Sequence, residues 1–210
     1  MSLPDGVERR DFDGETGLAT RGHPEYGERT DGEWRRWDPH RSKLGAMLEL
    51  GLDTGLEGGE TVLYLGAAAG TTASHVADFA GPTYAVEFAP RPTRDLLDVA
   101  DHRGNLFPLL KDAREPATYA HVVEPVDVVV QDVATRGQGR VAALNERFLR
   151  PDGRLLAAIK ARSEDVTADA DAVFADVLAA VEDEYEVLAT ERLDPYHDAH
   201  LGVVARPRRE

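Results

Sequence analysis

Thr61-Val-Leu-Tyr-Leu-Gly-Ala-Ala-Ala-Gly-Thr-Thr72 decides the fold. A short apolar run ends in two glycines, Gly66 and Gly70, and a helical pattern continues through His75, Val76 and Phe79. That order predicts strand, tight turn, helix. Such a turn brings bare backbone to a ligand and aims helix N-terminal N–H groups at it. The Gly66-x-x-x-Gly70 spacing lacks the middle glycine of the dinucleotide fingerprint. Alone it says α/β sheet and a nucleotide-like ligand, with an ordinary strand–helix turn as the plainer reading.

Working outward, strands and helices alternate, which predicts a doubly wound parallel sheet. Strands are expected at 61–65, 83–87, 106–110, 126–131 and 154–160, the fourth continuously apolar as a central buried strand should be. Helices are expected near 72–79, 92–100, 138–148 and 168–183. Pro151-Asp-Gly153 reads as a turn. Residues 185–193 and 200–205 read as a terminal strand pair at an antiparallel edge of the sheet.

N-terminal to this lies a helix from Ser42 to about Leu52, with Leu44, Met47 and Leu48 on one face. Before it comes Trp34-Arg-Arg-Trp-Asp-Pro-His-Arg-Ser-Lys43, a basic and aromatic island that suits phosphate and base contact. The plainer reading has its tryptophans covering the core while its arginines snorkel. Residues 1–33 are polar and few for independent stability. They are expected to form a short extension of small strands leaning on a main domain at 34–210.

The 210 residues carry 39 Asp plus Glu against 24 Lys plus Arg, a net charge of −15. Only Lys43, Lys111 and Lys160 are lysines, and there is no cysteine. That balance argues against tight, unaided nucleic-acid binding. It fits a protein working in multimolar salt, where excess carboxylates hold hydration and solubility. No apolar run is long enough to span a membrane and no signal pattern opens the chain, so a cytoplasmic location is expected. No Cys/His zinc spacing, nucleophile elbow or phosphate-binding P-loop is visible, and no metal is expected.

In such sheets ligands collect at the carboxyl ends of the strands. Glu87, 21 residues after Gly66, stands where a carboxylate can accept from ribose hydroxyls. Asp112 follows the third strand and could accept from an adenine amino group. Asp132 and Lys160 end the fourth and fifth strands, where they could orient a hydroxyl nucleophile or simply form an ion pair. His200 begins the final strand, with His197 as its competitor.

Several blocks then resemble the fibrillarin family. They are Tyr26-Gly-Glu-Arg29, Trp37-Asp-Pro-His-Arg-Ser-Lys-Leu44, Tyr64-Leu-Gly-Ala-Ala-Ala-Gly-Thr-Thr-Ala-Ser-His75, Tyr84-Ala-Val-Glu-Phe-Ala-Pro-Arg91, Phe107-Pro-Leu-Leu-Lys-Asp-Ala-Arg114 and Ile159-Lys-Ala-Arg-Ser-Glu-Asp-Val-Thr167. They lie in order over about 26–205. The resemblance implies an S-adenosylmethionine (SAM)-dependent methyltransferase fold and ribose 2′-O-methylation of rRNA or tRNA. It implies a SAM pocket built from Gly66, Ala67, Gly70, Thr71, Thr72, Glu87, Phe88, Asp112, Ala113, Asp132, Val133, Ala134 and Thr135. It also implies a reacting set of Lys43, Asp132, Lys160 and His200. Its partners would be a box C/D guide RNA, a Nop-type scaffold protein and a kink-turn-binding ribosomal-type protein. Three departures stand out: a short N-terminal region, Thr135 in place of the family's glutamine, and Ala199-His200-Leu201 in place of Asp-His-Ala. The rival readings are an NAD-dependent oxidoreductase and a non-catalytic scaffold subunit of the same fold.

Overall fold

A computed structural model describes residues 3–208. Two sheets make up the molecule. The small one contains β1 (Val7–Phe12), β2 (Glu15–Arg21), β3 (Thr30–Asp31) and β4 (Trp34–Arg36), in the order β1-β2-β4-β3 with every neighbour antiparallel. Asp13-Gly14 joins β1 to β2, both residues at positive φ, as a two-residue hairpin turn demands. The small sheet therefore runs through Trp34–Arg36, past residue 33.

The large sheet contains β5 (Val62–Leu65), β6 (Thr83–Glu87), β7 (Leu106–Leu110), β8 (Val126–Gln131), β9 (Leu149–Lys160), β10 (Tyr185–Arg192) and β11 (His200–Pro207). Its order is β10-β11-β9-β8-β5-β6-β7. β5 and β8 are apolar almost throughout because both their faces are covered. Val62, Tyr64, Val128 and Val130 face one apolar layer, with α1 (Lys43–Glu49), α2 (Thr71–Phe79) and α3 (Pro90–Ala100). Leu63, Leu65 and Val129 face the other, with α4 (Gln138–Asn145) and α6 (Ala170–Glu182). A one-turn α5 (Ala161–Glu164) lies between β9 and α6. No helix among the described residues is long and apolar enough to cross a membrane.

Two local expectations are corrected. The first helix stops at Glu49, not Leu52. Gly51 takes φ +83°, and Gly51 and Leu52 donate back to Leu48 O and Met47 O, a glycine-dependent helix stop. Pro151-Asp-Gly153 is no free turn but an irregular part of β9, whose pairing jumps from Val126↔Leu149 to Val128↔Arg154. Gly153 is needed there because a Cβ would lie 2.8 Å from Asp127 O. The terminal strands form the expected antiparallel pair at the edge of the sheet, with β10 outermost. β11 slots between β9 and β10, antiparallel to both, which sets His200 opposite Lys160.

The basic and aromatic island is mostly interior, against the expectation that it contacts RNA. Trp37 is fully buried and stacks on His75 with centroids 5.1 Å apart. Trp34 lies between the guanidinium groups of Arg10 and Arg21. Arg36 pairs with Glu15. Arg35 is fully buried and donates to Asp78 (2.8 Å), Glu28 (3.0 Å) and Ser74 (2.9 Å). Arg103 reaches the same Asp78 from the end of α3 at 2.9 Å and also pairs with Glu25. This buried ionic cluster fastens the small sheet to α2.

His75 extends the cluster. The single Thr20 hydroxyl proton goes to Asp78 at 2.7 Å, so His75 Nδ1, also 2.7 Å from Thr20 Oγ1, must carry a proton and donate. Burial above all, then Arg35 and Arg103, pushes the His75 pKa well below its usual value and keeps the ring neutral. His197 and His200 are lowered too, chiefly by burial. The unfolded chain therefore binds protons below pH ~6.5 that the folded chain refuses. Stability is complete above that pH and falls as pH drops, by at most about 1.4 kcal/mol per pH unit per histidine. His75→Asn should flatten the fall of Tm between pH 7 and pH 5; parallel curves for both proteins would contradict the assignment.

Candidate functional site

The β5–α2 turn needs its glycines. Gly66 has φ +81°, and a Cβ there would meet Asp132 O at 2.4 Å, so only glycine lets the ends of β5 and β8 approach this closely. Gly70, at φ +88°, caps α2. Between them Ala68 takes φ +48°, a left-handed conformation uncommon outside glycine and characteristic of functional turns. Tyr26 braces this turn from the small sheet's loop, its hydroxyl donating to Ala69 O.

Holding the turn in this shape aims Ala68 N at the end of β6. It donates to Glu87 Oε2 at 2.9 Å, and Ala89 N donates to Oε1 at 2.8 Å. Glu87 is buried and fixed, with each oxygen keeping a further accepting site. A cleft of about 270 Å³ opens here over the carboxyl ends of β5, β6, β7 and β8. Of the expected pocket residues, Gly66, Glu87, Phe88, Asp112, Ala113, Asp132, Val133, Ala134 and Thr135 line it. Phe88 is 67 % exposed, a large ring at the mouth without an apolar cover. Asp112 is turned toward Arg114, whose N and Nε both donate at 2.9 Å, and those hydrogen bonds lower its pKa.

Ala67, Gly70, Thr71 and Thr72 are not part of that lining. Thr72 is buried and its hydroxyl donates to Ser42 Oγ at 3.0 Å. Ser42 in turn caps α1 by accepting from Gly45 N at 3.0 Å. The two helix starts are thus tied together, and that tie places Lys43, the first residue of α1.

Lys43 Nζ lies 3.0 Å from Asp132 Oδ2, joining α1 to the end of β8 across 89 residues of sequence. Lys160 ends β9 beside β8, and β11 sets His200 across from it. His200 Nδ1 is 2.7 Å from Asp198 O, a carbonyl that can only accept, so Nδ1 carries the proton. Its Nε2 is buried, with no partner, and holds a bare lone pair. Burial and the Lys43 charge both lower the His200 pKa, which keeps that lone pair free at neutral pH. His197 is the reverse: Nε2 faces Pro39 O at 2.8 Å.

One residue of this end has no counterpart among the sequence-based candidates. Gln138 is fully buried; its Oε1 accepts from Lys160 N at 2.9 Å and its Nε2 donates to Lys160 O at 3.0 Å. It stands in for a neighbouring strand and fixes the backbone that carries Lys160. Glu164 holds Gln138 from the other side, accepting from its backbone N and from Nε2. Ala68, Lys111 and Arg114 are further cleft residues outside the sequence-based candidates.

The family model for Fibrillarin matches residues 8–209. A protein of Haloarcula marismortui named fibrillarin-like rRNA/tRNA 2′-O-methyltransferase is 78% identical over 210 residues, spanning 100% of both chains. A fibrillarin solved in complex with Nop5p superposes with TM-score 0.91 at 37% identity, covering 99% of this chain and 100% of that one. Aeropyrum pernix fibrillarin with natively bound S-adenosyl-L-methionine gives TM-score 0.82 at 41% identity, covering 98% and 100%. A chain matched along nearly its whole length in this way belongs to the fibrillarin family.

Proposed function

We propose that the protein is the ribose 2′-O-methyltransferase of a box C/D guide ribonucleoprotein, acting on rRNA and tRNA in the cytoplasm with SAM as methyl donor. The cleft carries this reading. Glu87 and Asp112 place carboxylates where a nucleoside offers hydroxyl and amino donors, Phe88 offers a flat apolar face, and the floor ends at the Lys43–Asp132 pair. The Gly66-x-x-x-Gly70 turn lacks the middle glycine by which a backbone approaches a pyrophosphate, which speaks against NAD. The Aeropyrum protein's bound SAM supports the same cofactor. The Nop5p complex supports a Nop-type scaffold; a guide RNA and a kink-turn-binding protein complete the proposed particle.

SAM supplies a methyl group already activated for in-line displacement, so the protein's main task is placement. Lys43 and Asp132 fix one side of the reacting centre. Lys160 orients the attacking 2′-hydroxyl and stabilises the negative charge that develops on its oxygen. His200, across from Lys160, assists proton handling or substrate placement. The intact Lys43, Asp132 and Lys160 argue against a scaffold-only role.

Calorimetry should show saturable binding of SAM and none of NAD. A tritiated-methyl assay on a particle reconstituted with guide RNA, scaffold and kink-turn protein should label the guided nucleotide. Labelling of bare RNA by the isolated subunit at the same rate would contradict the particle assignment. Gln138→Leu should lower kcat about 10- to 100-fold by freeing the Lys160 backbone, while the KM for SAM stays near normal. An unchanged kcat would remove Gln138 from the positioning set.

A further inference from the structure

A second hollow, of about 440 Å³, opens on the outer side of α4. It is lined by Arg114, Arg136, Gly137, Arg140, Val141 and Leu144. Arg114 and Val141 also line the cofactor cleft, so the two spaces adjoin. Three guanidinium groups among six lining residues run against the balance of a chain of net charge −15. Many surface arginines elsewhere are paired: Arg9 with Glu49, Arg29 with Glu15, Arg150 with Asp127 and Arg206 with Glu186. Among the described residues Arg136 and Arg140 are exposed and form no ion pair, and Arg114 pairs only with its neighbour Asp112.

The placement is directional. Arg136 and Arg140 flank Gln138 by two residues on either side, and Gln138 is bonded to both backbone groups of Lys160. The basic groove is therefore tied to the reacting end of the cleft. Arg140 also lines the next hollow, together with Glu164, Asp165 and Asp176, whose carboxylates repel a polyanion from that side. A phosphate chain lying on this face is confined to the Arg114–Arg136 side and led toward the cleft. The side chains are arginine, whose planar fork binds a phosphate through two parallel hydrogen bonds. That geometry keeps part of its strength in salt that screens purely ionic contact.

We propose that this groove is a phosphodiester-binding site that holds the substrate RNA strand next to its target ribose. The proposal rests on reading the adjoining cleft as the methyl-transfer site. Its test compares wild type with R136Q/R140Q and R136E/R140E in the reconstituted guide particle. SAM affinity by calorimetry and particle assembly by gel filtration should be unchanged in both variants. The KM for target RNA should rise by about tenfold in the glutamine variant and further in the glutamate variant, with kcat at saturating RNA within about threefold. The slope of log KM against log salt should shrink by about 1.4, because two single-strand phosphates are no longer neutralised. An unchanged KM and salt slope overturn the proposal. Loss of particle assembly with RNA affinity intact also overturns it, by showing that the arginines hold a protein. Filter binding of target RNA to the particles is read separately. A wild-type particle that binds RNA through these arginines but transfers no methyl would refute the methyl-transfer reading alone.

Discussion

Lys160→Ala should bind SAM with near wild-type affinity and transfer methyl about 10²- to 10⁴-fold more slowly, the range set by losing a positioned acid–base or electrostatic group. The expectation rests on where the side chain is rooted. Lys160 does not line the cofactor cleft, so its removal leaves Glu87 and Asp112 in place. Its backbone is held by Gln138 and paired with β11, so truncation should not shift the strand. What is lost is the one lysine at the end of β9, the neighbour of β8, and across from His200. Single-turnover transfer in the guide particle, with SAM affinity measured in parallel, separates chemistry from binding. Full methylation by the variant would remove Lys160 from the reacting set. Loss of SAM affinity equal to the loss of rate would move it into the cofactor pocket.

Asp78→Ala carries the largest expected loss of stability. The carboxylate is almost wholly buried and accepts from Arg35, Arg103 and Thr20 at once. Without it two buried guanidinium groups face each other with only Glu28 and Glu25 as counter-charges. Removing one member of a buried ionic cluster costs about 3–5 kcal/mol because the remaining charges stay desolvated and unpaired. For a chain of this length that lowers Tm by about 10 °C. Asp78→Asn, which keeps the shape and some accepting capacity, should lose less. The deficit should persist in high salt, since screening acts on exposed pairs far more than on buried ones. A Tm within about 2 °C of wild type would show that the cluster adds nothing beyond its packing.

The fold and the strand-end residues are legible in the sequence because each depends on a local pattern. Residues 62–65 are apolar at every position and 126–131 nearly so, as a strand covered on both faces requires. Glu87, Asp132 and Lys160 are polar residues at the ends of such runs, and the sheet brings those ends together. The island at 34–43 misleads because its partners are remote. Nothing near Arg35 in sequence announces Asp78, and an arginine bound for the interior reads like one bound for RNA. Gln138 is invisible for a related reason: an amide that replaces a missing strand has no sequence signature. The irregular stretch at 151–153 contains Pro and Gly, the usual marks of a turn, and only the close approach of Asp127 O distinguishes a bulge from a reversal. The Arg136–Arg140 groove stays hidden because two arginines four residues apart look like any solvated helix face.

The insertion of β11 between β9 and β10 has a consequence for how the molecule is made. During synthesis β9 and β10 emerge before the strand that lies between them in the finished sheet. Until residues 200–207 arrive, the edge of β9 that takes β11 lacks its partner. A chain halted before residue 200 contains every residue that lines the cleft, the last being Val141, but not His200, which lies across from Lys160. Strand pairing over such a sequence separation is slow and leaves edges prone to mispairing.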